Sequence, residues 1–368
     1  MERTRKIGNT QKVGILGFDY IEFYVSNALQ ASHFYRSGFG FELLAASGLE
    51  TGVRDRTTYV LELADIRLMF TTALSPETAI ADHVHLHGDS IKDIAFTVSD
   101  AELCFETAMK NGARPVQPPT RAEDEHGYTI KATIGACGDT VHSLVQRESY
   151  HGAFLPGYRE VSNKIGKRAG DLVAIDHVAI SVEKGTLSEW VEFYERALGF
   201  RQSHQEAVAT DWSAMNSKVV QNSIGNVSLP IIEPAISKRK SQIDEYLSFH
   251  RGPGAQHIAL LSNDITKTVS VLRANGIEFL TTPNSYYDAL SARVGGLDEE
   301  MESIRELNIL ADRETNGYLL QVFTKPLQGR PTVFVEVIQR RGALGFGGGN
   351  IKALFEAVER EQAGRGNL

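Results

Sequence analysis

Two histidines and one glutamate occupy comparable positions in three apolar, strand-like segments of the second half of the chain: His177, His257 and Glu336. Strand alternation can point each of them into a barrel while its neighbours point away. Two imidazoles and one carboxylate that converge leave coordination positions open, and this set suits a non-haem Fe(II) that activates oxygen. A lone strand histidine is usually a core residue. A buried Glu336, however, costs free energy unless it is paired or binds a metal.

The elements that must position these residues recur along the chain. Six strand-like segments form three related pairs: 18–25 with 175–182, 93–100 with 257–264, and 141–147 with 334–340. In each half, an amphipathic helical pattern follows the first and the second of these strand-like segments. We therefore predict an α+β fold, with two tandem open β-barrel halves built from repeated βαβββ units and a C-terminal lid helix.

A polar stretch containing glycine and proline separates the two repeats. We predict an N-terminal structural barrel at residues 1–150, a linker at 151–170, and a catalytic barrel with the C-terminal helix at 171–368. The first half has other residue types at the positions equivalent to the three ligands: Tyr20, Asp93 and Ser143. We expect no metal site there.

The tail begins with a glycine-rich run at residues 345–350. This run lacks the Gly-Lys-Ser/Thr ending of a phosphate-binding loop, so we interpret it as a hinge. Asn350 is the expected N-cap of a helix. One apolar face follows at helical spacing: Ile351, Leu354, Phe355 and Val358. The helix is expected to dock on the core or to act as a lid over the second barrel.

Two other polar clusters could be functional. His83, His85 and His87 alternate in sequence, so a strand would place them on one face where they could bind a metal. The adjoining Gly-Asp pair favours a surface loop instead, which is our prediction. The acidic run at 123–125 is predicted to be a solvated loop.

Composition excludes several classes of protein. The chain has 368 residues, with 38 Lys+Arg against 46 Asp+Glu and a net charge of −8. An acidic chain without a long basic run argues against nucleic acid as a partner. No apolar run approaches the roughly 20 residues needed to span a bilayer, so we expect no membrane association. Cys104 and Cys137 are predicted to be buried reduced thiols of a cytoplasmic protein.

Five phrases together are specific: Ile175-Asp176-His177, and the segments 252–259, 282–287, 317–326 and 345–359. They resemble the 4-hydroxyphenylpyruvate dioxygenase family, a branch of the vicinal-oxygen-chelate fold. The resemblance implies that His177, His257 and Glu336 bind Fe(II). It implies 4-hydroxyphenylpyruvate and O2 as substrates and a homo-oligomeric state. It also implies nine substrate-binding positions: Ser217, Pro230, Ile232, Gln242, Gln321, Phe323, Phe346, Asn350 and Ile351.

Two pocket positions depart from the usual family pattern. Dioxygenases of the family usually carry Phe where this chain has Ile351, and Asn where it has Ile232. Both changes resemble the sister enzyme 4-hydroxymandelate synthase, which hydroxylates the benzylic carbon of the same substrate. Pro230 and Phe355 match the branch that hydroxylates the ring and forms homogentisate. We predict the mandelate product. Homogentisate is the alternative, and a non-catalytic small-molecule-binding protein of the same fold is a third hypothesis.

Overall fold

The chain folds into two curled half-barrel sheets, one from each half of the sequence. The computed structural model describes residues 14–163, 170–210, 213–364 and 366. The elements of the first half are β1 (Ile15–Tyr24), α1 (Ala28–Phe39), β2 (Glu42–Ser47), β3 (Arg56–Leu63), β4 (Ile66–Ala73), α2 (Ala79–His87), β5 (Ser90–Val98), α3 (Ala101–Lys110), β6 (Pro115–Asp124), β7 (Gly127–Gly135), β8 (Val141–Gln146) and β9 (Arg159–Asn163).

The elements of the second half follow the same succession, with extra short helices before β15. They are β10 (Leu172–Ser181), α4 (Leu187–Leu198), β11 (Arg201–Ala209), β12 (Ala214–Gln221), β13 (Ser228–Pro234), α5 (Gln242–His250), β14 (Gly254–Ser262), α6 (Ile265–Ala274), α7 (Asn284–Asp288), α8 (Leu290–Val294), α9 (Met301–Glu306), β15 (Leu310–Glu314), β16 (Gly317–Phe323), β17 (Phe334–Arg341) and α10 (Gly348–Gly364).

The strand order shows the internal repeat. Within the described ranges the first sheet is β6-β7-β8-β5-β1-β4-β3-β2-β9, and the second is β11-β12-β13-β10-β14-β17-β16-β15. β1 is antiparallel to β5 and parallel to β4, just as β10 is antiparallel to β14 and parallel to β13. β8 and β17 lie parallel to β5 and β14. The predicted α+β class with two half-barrels of βαβββ units is therefore confirmed.

Residues 151–163 of the predicted linker pack against the first half. β9 pairs antiparallel with β2 and extends the first sheet. Before it, Phe154 is buried and packs edge-on against the Tyr20 ring, with ring centroids 5.6 Å apart. Burial of this aromatic side chain inside the first half-barrel holds the segment in place.

The histidine-rich segment is a helix, so the prediction of a surface loop at residues 83–87 is wrong. The Thr78 side chain accepts a hydrogen bond from the Ala81 amide and caps α2, which overrides the turn signal of the following Gly-Asp pair. Because helical spacing replaces strand alternation, His83 and His87 lie on the buried face and His85 is exposed.

The C-terminal helix begins earlier than predicted. α10 starts at Gly348, two residues before Asn350, because the Gly349 amide donates to the Asp312 carboxylate at 3.0 Å. The predicted apolar face is present: Leu354 and Phe355 are buried, and Ile351 and Val358 are half-buried. The helix packs on the second half-barrel through this face, as its pattern predicts.

Other surface and core predictions are also resolved. The acidic run at 123–125 is exposed as predicted, although its first two residues end β6 rather than lying in a loop. Cys104 and Cys137 are buried free thiols, and burial raises their pKa values to about 11 and about 12. No described helix is long and apolar enough to cross a membrane.

A buried histidine joins the two halves. The Nδ1 of His142 donates to the Ile94 carbonyl at 2.9 Å, and its Nε2 lies 2.9 Å from the Tyr194 hydroxyl of the second half. Because Nδ1 carries the proton, Nε2 accepts from Tyr194 and the ring is neutral. Burial lowers the pKa of His142 to about 4.

This shift makes the free energy of unfolding depend on pH. A histidine whose pKa is lower in the folded state binds fewer protons when folded, so stability falls as pH drops from about 6.5 towards about 4. We expect His142→Gln to remove about 2 kcal/mol of the stability difference between pH 7 and pH 5. Urea unfolding at the two pH values measures it. An unchanged difference would contradict a neutral His142.

Candidate metal centre and pocket

Three adjacent strands bring the candidate ligands to one face of the second sheet. In the β-ladder, His177 of β10 and Glu336 of β17 both pair with Ala259 of β14, which lies between them. His257 lies two residues before Ala259 and therefore on the same face. One ligand atom from each of the three side chains lies within 4.8 Å of the other two.

The distances suit a shared cation. The Oε2 of Glu336 lies 3.3 Å from the Nε2 of His177 and 3.5 Å from the Nε2 of His257. The three residues are 2%, 7% and 2% exposed in chain order, so all of them are withdrawn from bulk water. A carboxylate buried beside two imidazoles, with all ligand atoms facing one point, is the donor set of a metal centre with open positions.

Neighbouring side chains orient both imidazole rings. The Nδ1 of His177 lies 2.8 Å from Asp176, and the Nδ1 of His257 lies 3.2 Å from the Gln256 side-chain oxygen. Each Nδ1–H donates to its oxygen partner, which directs the other nitrogen, Nε2, towards Glu336. Outer partners of this kind fix the tautomer of a metal-binding histidine.

Arg340 supports the first of these partners. Its guanidinium donates to both oxygens of Asp176, at 2.7 and 2.8 Å, and to the Gly345 carbonyl at 2.7 Å. Burial alone would raise the pKa of Asp176, but the hydrogen bonds from Arg340 and His177 outweigh it, so the pKa lies below the ordinary value. Asp176 is therefore an anion that holds His177.

Without a metal, a proton stabilises the buried cluster. Burial lowers the pKa of His177, but Glu336 and Asp176 outweigh this effect and raise it to about 9. Burial raises the pKa of Glu336, but the interaction with His177 lowers it by more, so the net shift is downward. Burial lowers the pKa of His257 to about 3. A metal ion that binds here must displace the proton of His177.

Asp176→Asn tests this support. The amide cannot present two acceptor oxygens to Arg340 and the His177 ring together, so the imidazole loses its fixed orientation. We expect metal affinity to fall by about 10–100-fold, measured by equilibrium dialysis with metal analysis. Lys267→Gln, which removes an exposed ion pair with Asp171, is the control and should leave affinity unchanged. Wild-type affinity in Asp176→Asn would show that Asp176 does not orient the ligand.

A cavity opens beside the ligands. Strands β12, β13 and β16 and helices α5 and α10 supply its walls. Eight of the nine predicted substrate-binding residues line it: Ser217, Pro230, Ile232, Gln242, Gln321, Phe323, Phe346 and Ile351. Its lining is mostly apolar with a few polar groups, which is the usual composition of a small-molecule site.

The ninth predicted residue, Asn350, lies behind the wall rather than in it. Its side-chain amide donates to the Gln321 oxygen at 2.9 Å, and Gln321 in turn donates to Glu336 at 2.9 Å. The Tyr286 hydroxyl donates to the Asn350 oxygen at 2.8 Å. This chain of hydrogen bonds ties the first turn of α10 to the candidate metal ligand.

Comparisons with known proteins agree with this arrangement. The family model described as the Glyoxalase/Bleomycin resistance protein/Dioxygenase superfamily matches residues 17–146 and 174–322. A 4-hydroxyphenylpyruvate dioxygenase of Yarrowia lipolytica is 44% identical, over 96% of this chain and 93% of that protein. One of Dictyostelium discoideum is 42% identical, over 96% of this chain and all of that protein.

A solved structure is similar over the whole fold. A triple mutant of 4-hydroxymandelate synthase from Streptomyces coelicolor superposes with a TM-score of 0.86 at 41% identity, covering 94% of this chain and 98% of that one. This chain belongs to the family of 4-hydroxyphenylpyruvate dioxygenases and 4-hydroxymandelate synthases. It is therefore a dioxygenase, and the hypothesis of a non-catalytic binding protein is not supported.

Sequence reasoning missed six residues that line the cavity of this family member: His204, Glu206, Met215, Val219, Gln256 and Leu354. Met215 and Val219 flank Ser217 at strand spacing, so alternation along β12 could have identified them. Glu206 gave no local signal. It reaches the cavity because β11 pairs with β12 in a register that sets Glu206 opposite Ser217.

The first half lacks the corresponding ligands. At the equivalent positions, the Tyr20 hydroxyl donates to Asp93 at 3.2 Å and the Ser143 amide donates to Asp93 at 2.9 Å. The Lys131 ammonium donates to the Tyr20 hydroxyl at 3.1 Å. A half-buried ammonium thus lies beside the positions of the first half that are equivalent to the candidate ligands.

Proposed function

We propose that this chain is an Fe(II)-dependent dioxygenase that converts 4-hydroxyphenylpyruvate and O2 to 4-hydroxymandelate and CO2. The keto acid loses its carboxyl carbon as CO2. One oxygen atom of O2 enters the new carboxylate, and the other enters the benzylic hydroxyl, so atoms balance. The names and identities of the relatives support the substrate class.

The donor set supports iron. Iron(II) held by His177, His257 and Glu336 supplies open coordination positions for a keto acid and the redox chemistry that O2 requires. The protein keeps the three ligands in place through Asp176, Gln256 and Gln321, so little reorganisation is needed when the metal binds.

The cavity supports binding of an aryl group. Phe346 packs edge-on against the His177 ring at 5.1 Å, and Phe323 packs against Phe334 at 6.2 Å, so aromatic walls adjoin the ligands. In the proposal, Phe323 and Phe346 pack on the substrate ring, while Ser217 and Gln242 bind its polar ends. Apolar walls exclude water, which protects the reactive steps from side reactions.

Ile232 and Ile351 carry the choice of product. Both line the cavity, and they belong to one apolar cluster with Met215 and Phe355. No side-chain amide is available at residue 232, and the branched Ile351 occupies less of the wall than a phenyl ring. The substrate ring therefore lies differently relative to the reacting centre. A shift of about 1 Å is enough to redirect such chemistry.

A second candidate product is homogentisate, formed from the same substrate. The eight curated relatives compared, at 39–44% identity, are all named 4-hydroxyphenylpyruvate dioxygenase. Pro230 lines the cavity in agreement with that branch.

One reaction distinguishes the two products. The protein is loaded with Fe(II) and incubated with 4-hydroxyphenylpyruvate in air, and the products are separated by chromatography against authentic standards, because both have the same mass. The expected product is 4-hydroxymandelate. Homogentisate would overturn the proposed branch but not the family. No oxygen uptake, with iron bound, would overturn the proposed substrate.

A further inference from the structure

A second group of metal-binding side chains lies outside the pocket, where the two halves meet. His83 and His87 from one face of α2, and Asp139 from the turn between β7 and β8, place one ligand atom each within 4.8 Å of one another. His83 and His87 are only 6% and 2% exposed, whereas Asp139 reaches the surface. The cluster is therefore buried on one side and open to solvent on the other.

The surroundings of His87 require a cation. Its Nδ1 lies 2.6 Å from the His250 backbone carbonyl, so Nδ1 carries a proton and donates. Its Nε2 lies 2.9 Å from the Oδ2 of Asp139. An unprotonated Nε2 would point a lone pair at a carboxylate oxygen. Either a second proton or a metal ion must therefore occupy this place.

His83 distinguishes these two possibilities. The Ser90 hydroxyl donates to the Gly88 carbonyl at 3.3 Å, so it accepts from the Nε2 of His83 at 2.9 Å. The other nitrogen, Nδ1, then bears a lone pair, and within the described part of the chain this buried atom has no hydrogen-bond partner. A proton on His87 leaves the His83 nitrogen unsatisfied, which is costly. A metal ion bound to this nitrogen would satisfy it and would also replace the second proton of His87.

We propose that His83, His87 and Asp139 form a second metal site, which binds a divalent transition metal such as Zn²⁺. Two imidazoles and one carboxylate are ordinary zinc ligands, and water from the open side completes a tetrahedral set. His83 donates from Nε2 to Ser90, so its unpartnered Nδ1 carries the lone pair that metal ligation requires.

Two nearby cationic side chains, Lys92 and Arg330, oppose cation binding. The Lys92 ammonium donates to the Asp139 backbone carbonyl. The Asp139 carboxylate lies 2.9 Å from the Nε2 of His87 and bears a negative charge at neutral pH. The carboxylate therefore supplies the negative charge that a metal site needs.

The location gives the metal a structural role. The His87 ring stacks on the His250 ring of the second half, with centroids 4.4 Å apart. Arg330, also from the second half, donates to the Leu86 carbonyl at 2.6 Å and to the Phe249 carbonyl at 3.1 Å. A metal bound at the end of α2 would fasten this helix to β7 and β8 and so strengthen the junction between the halves.

Zinc stoichiometry tests the proposal. Wild-type protein, stripped of metal and dialysed against Zn²⁺, is expected to retain two equivalents by elemental analysis, one at each site. Asp139→Asn is isosteric and lies at the surface, and it should retain one equivalent. Glu77→Gln removes an exposed carboxylate near α2 and should retain two. Zn²⁺ should raise the melting temperature of wild type and Glu77→Gln more than that of Asp139→Asn.

A second variant removes a different proposed ligand, so that the test does not depend on Asp139→Asn alone. His83→Leu removes the unpartnered nitrogen, and circular dichroism establishes whether it folds. It should also lose one equivalent of zinc. Equal zinc content in the wild type and in Asp139→Asn would overturn the proposal, because the Asp139 carboxylate would then hold no metal. These results do not depend on turnover, so failure of the proposed reaction remains distinguishable.

Discussion

Replacement of Glu336 by glutamine is expected to abolish turnover and to lower Fe(II) affinity by at least about 100-fold, since loss of a ligand exceeds the cost of losing an outer partner. The amide is neutral and the two imidazoles are neutral ligands, so no negatively charged ligand remains to offset the charge of the cation. It also removes the carboxylate that accepts from Gln321 at 2.9 Å. Anaerobic metal titration and an oxygen electrode measure the two effects separately.

The control for this variant lies in the first half. Asp93 occupies the position equivalent to His257, is equally buried in its half-barrel, and bonds Tyr20 and Ser143. Asp93→Asn should reduce stability, because an amide nitrogen cannot accept the hydrogen bonds that the Tyr20 and Ser143 hydroxyls donate to the carboxyl group. It should leave iron affinity unchanged. Wild-type iron affinity in Glu336→Gln would show that the Glu336 carboxylate is not a ligand. Loss of iron in Asp93→Asn would indicate that the metal binds in the first half rather than the second.

The double substitution Ile232→Asn and Ile351→Phe is expected to shift the product ratio from 4-hydroxymandelate towards homogentisate by at least about tenfold. That change corresponds to about 1.4 kcal/mol between two competing barriers. The asparagine places an amide on the cavity face of β13, and the phenyl ring enlarges the wall formed by α10. Overpacking of this kind shifts neighbours at a cost of about 1–3 kcal/mol, so the substrate ring must move.

Chromatography of the products from both proteins measures the shift. Leu344→Phe is the matched control, because it adds a phenyl ring to the same tail at a side chain that is 75% exposed. It should leave the ratio unchanged. An unaltered ratio in the double variant would mean that Ile232 and Ile351 do not decide the product.

The candidate metal ligands were predictable because each is a polar residue of metal-binding type within an apolar strand. His177, His257 and Glu336 interrupt apolar strands at repeat-related positions, and strand alternation determines which face each can reach. The α+β repeat followed from the same pattern. Alternation could also have extended the pocket to Met215 and Val219, since both flank Ser217 on β12.

Residues that meet only through strand register or through the tail were not predictable from local pattern. Glu206 enters the cavity because β11 pairs with β12 in one register, which no feature of β11 itself specifies. Asn350 was predicted to bind substrate, but it lies behind the wall and bonds Gln321. Sequence spacing identifies a polar residue near a pocket but not the partner that its amide takes.

By itself, the sequence determined the donor types, the repeat and the family, because residue identity and periodicity encode ligand chemistry and strand faces. Only the tertiary structure decided that His83 and His87, on the buried face of α2, lie beside Asp139, which follows His87 by 52 residues. The N-cap at Thr78 stabilises a helix where the histidines alternate in sequence as they would on a strand face. Contact between the two halves of the molecule buries one side of that helix. Contacts between distant segments depend on packing of the whole molecule, and local propensity does not contain them.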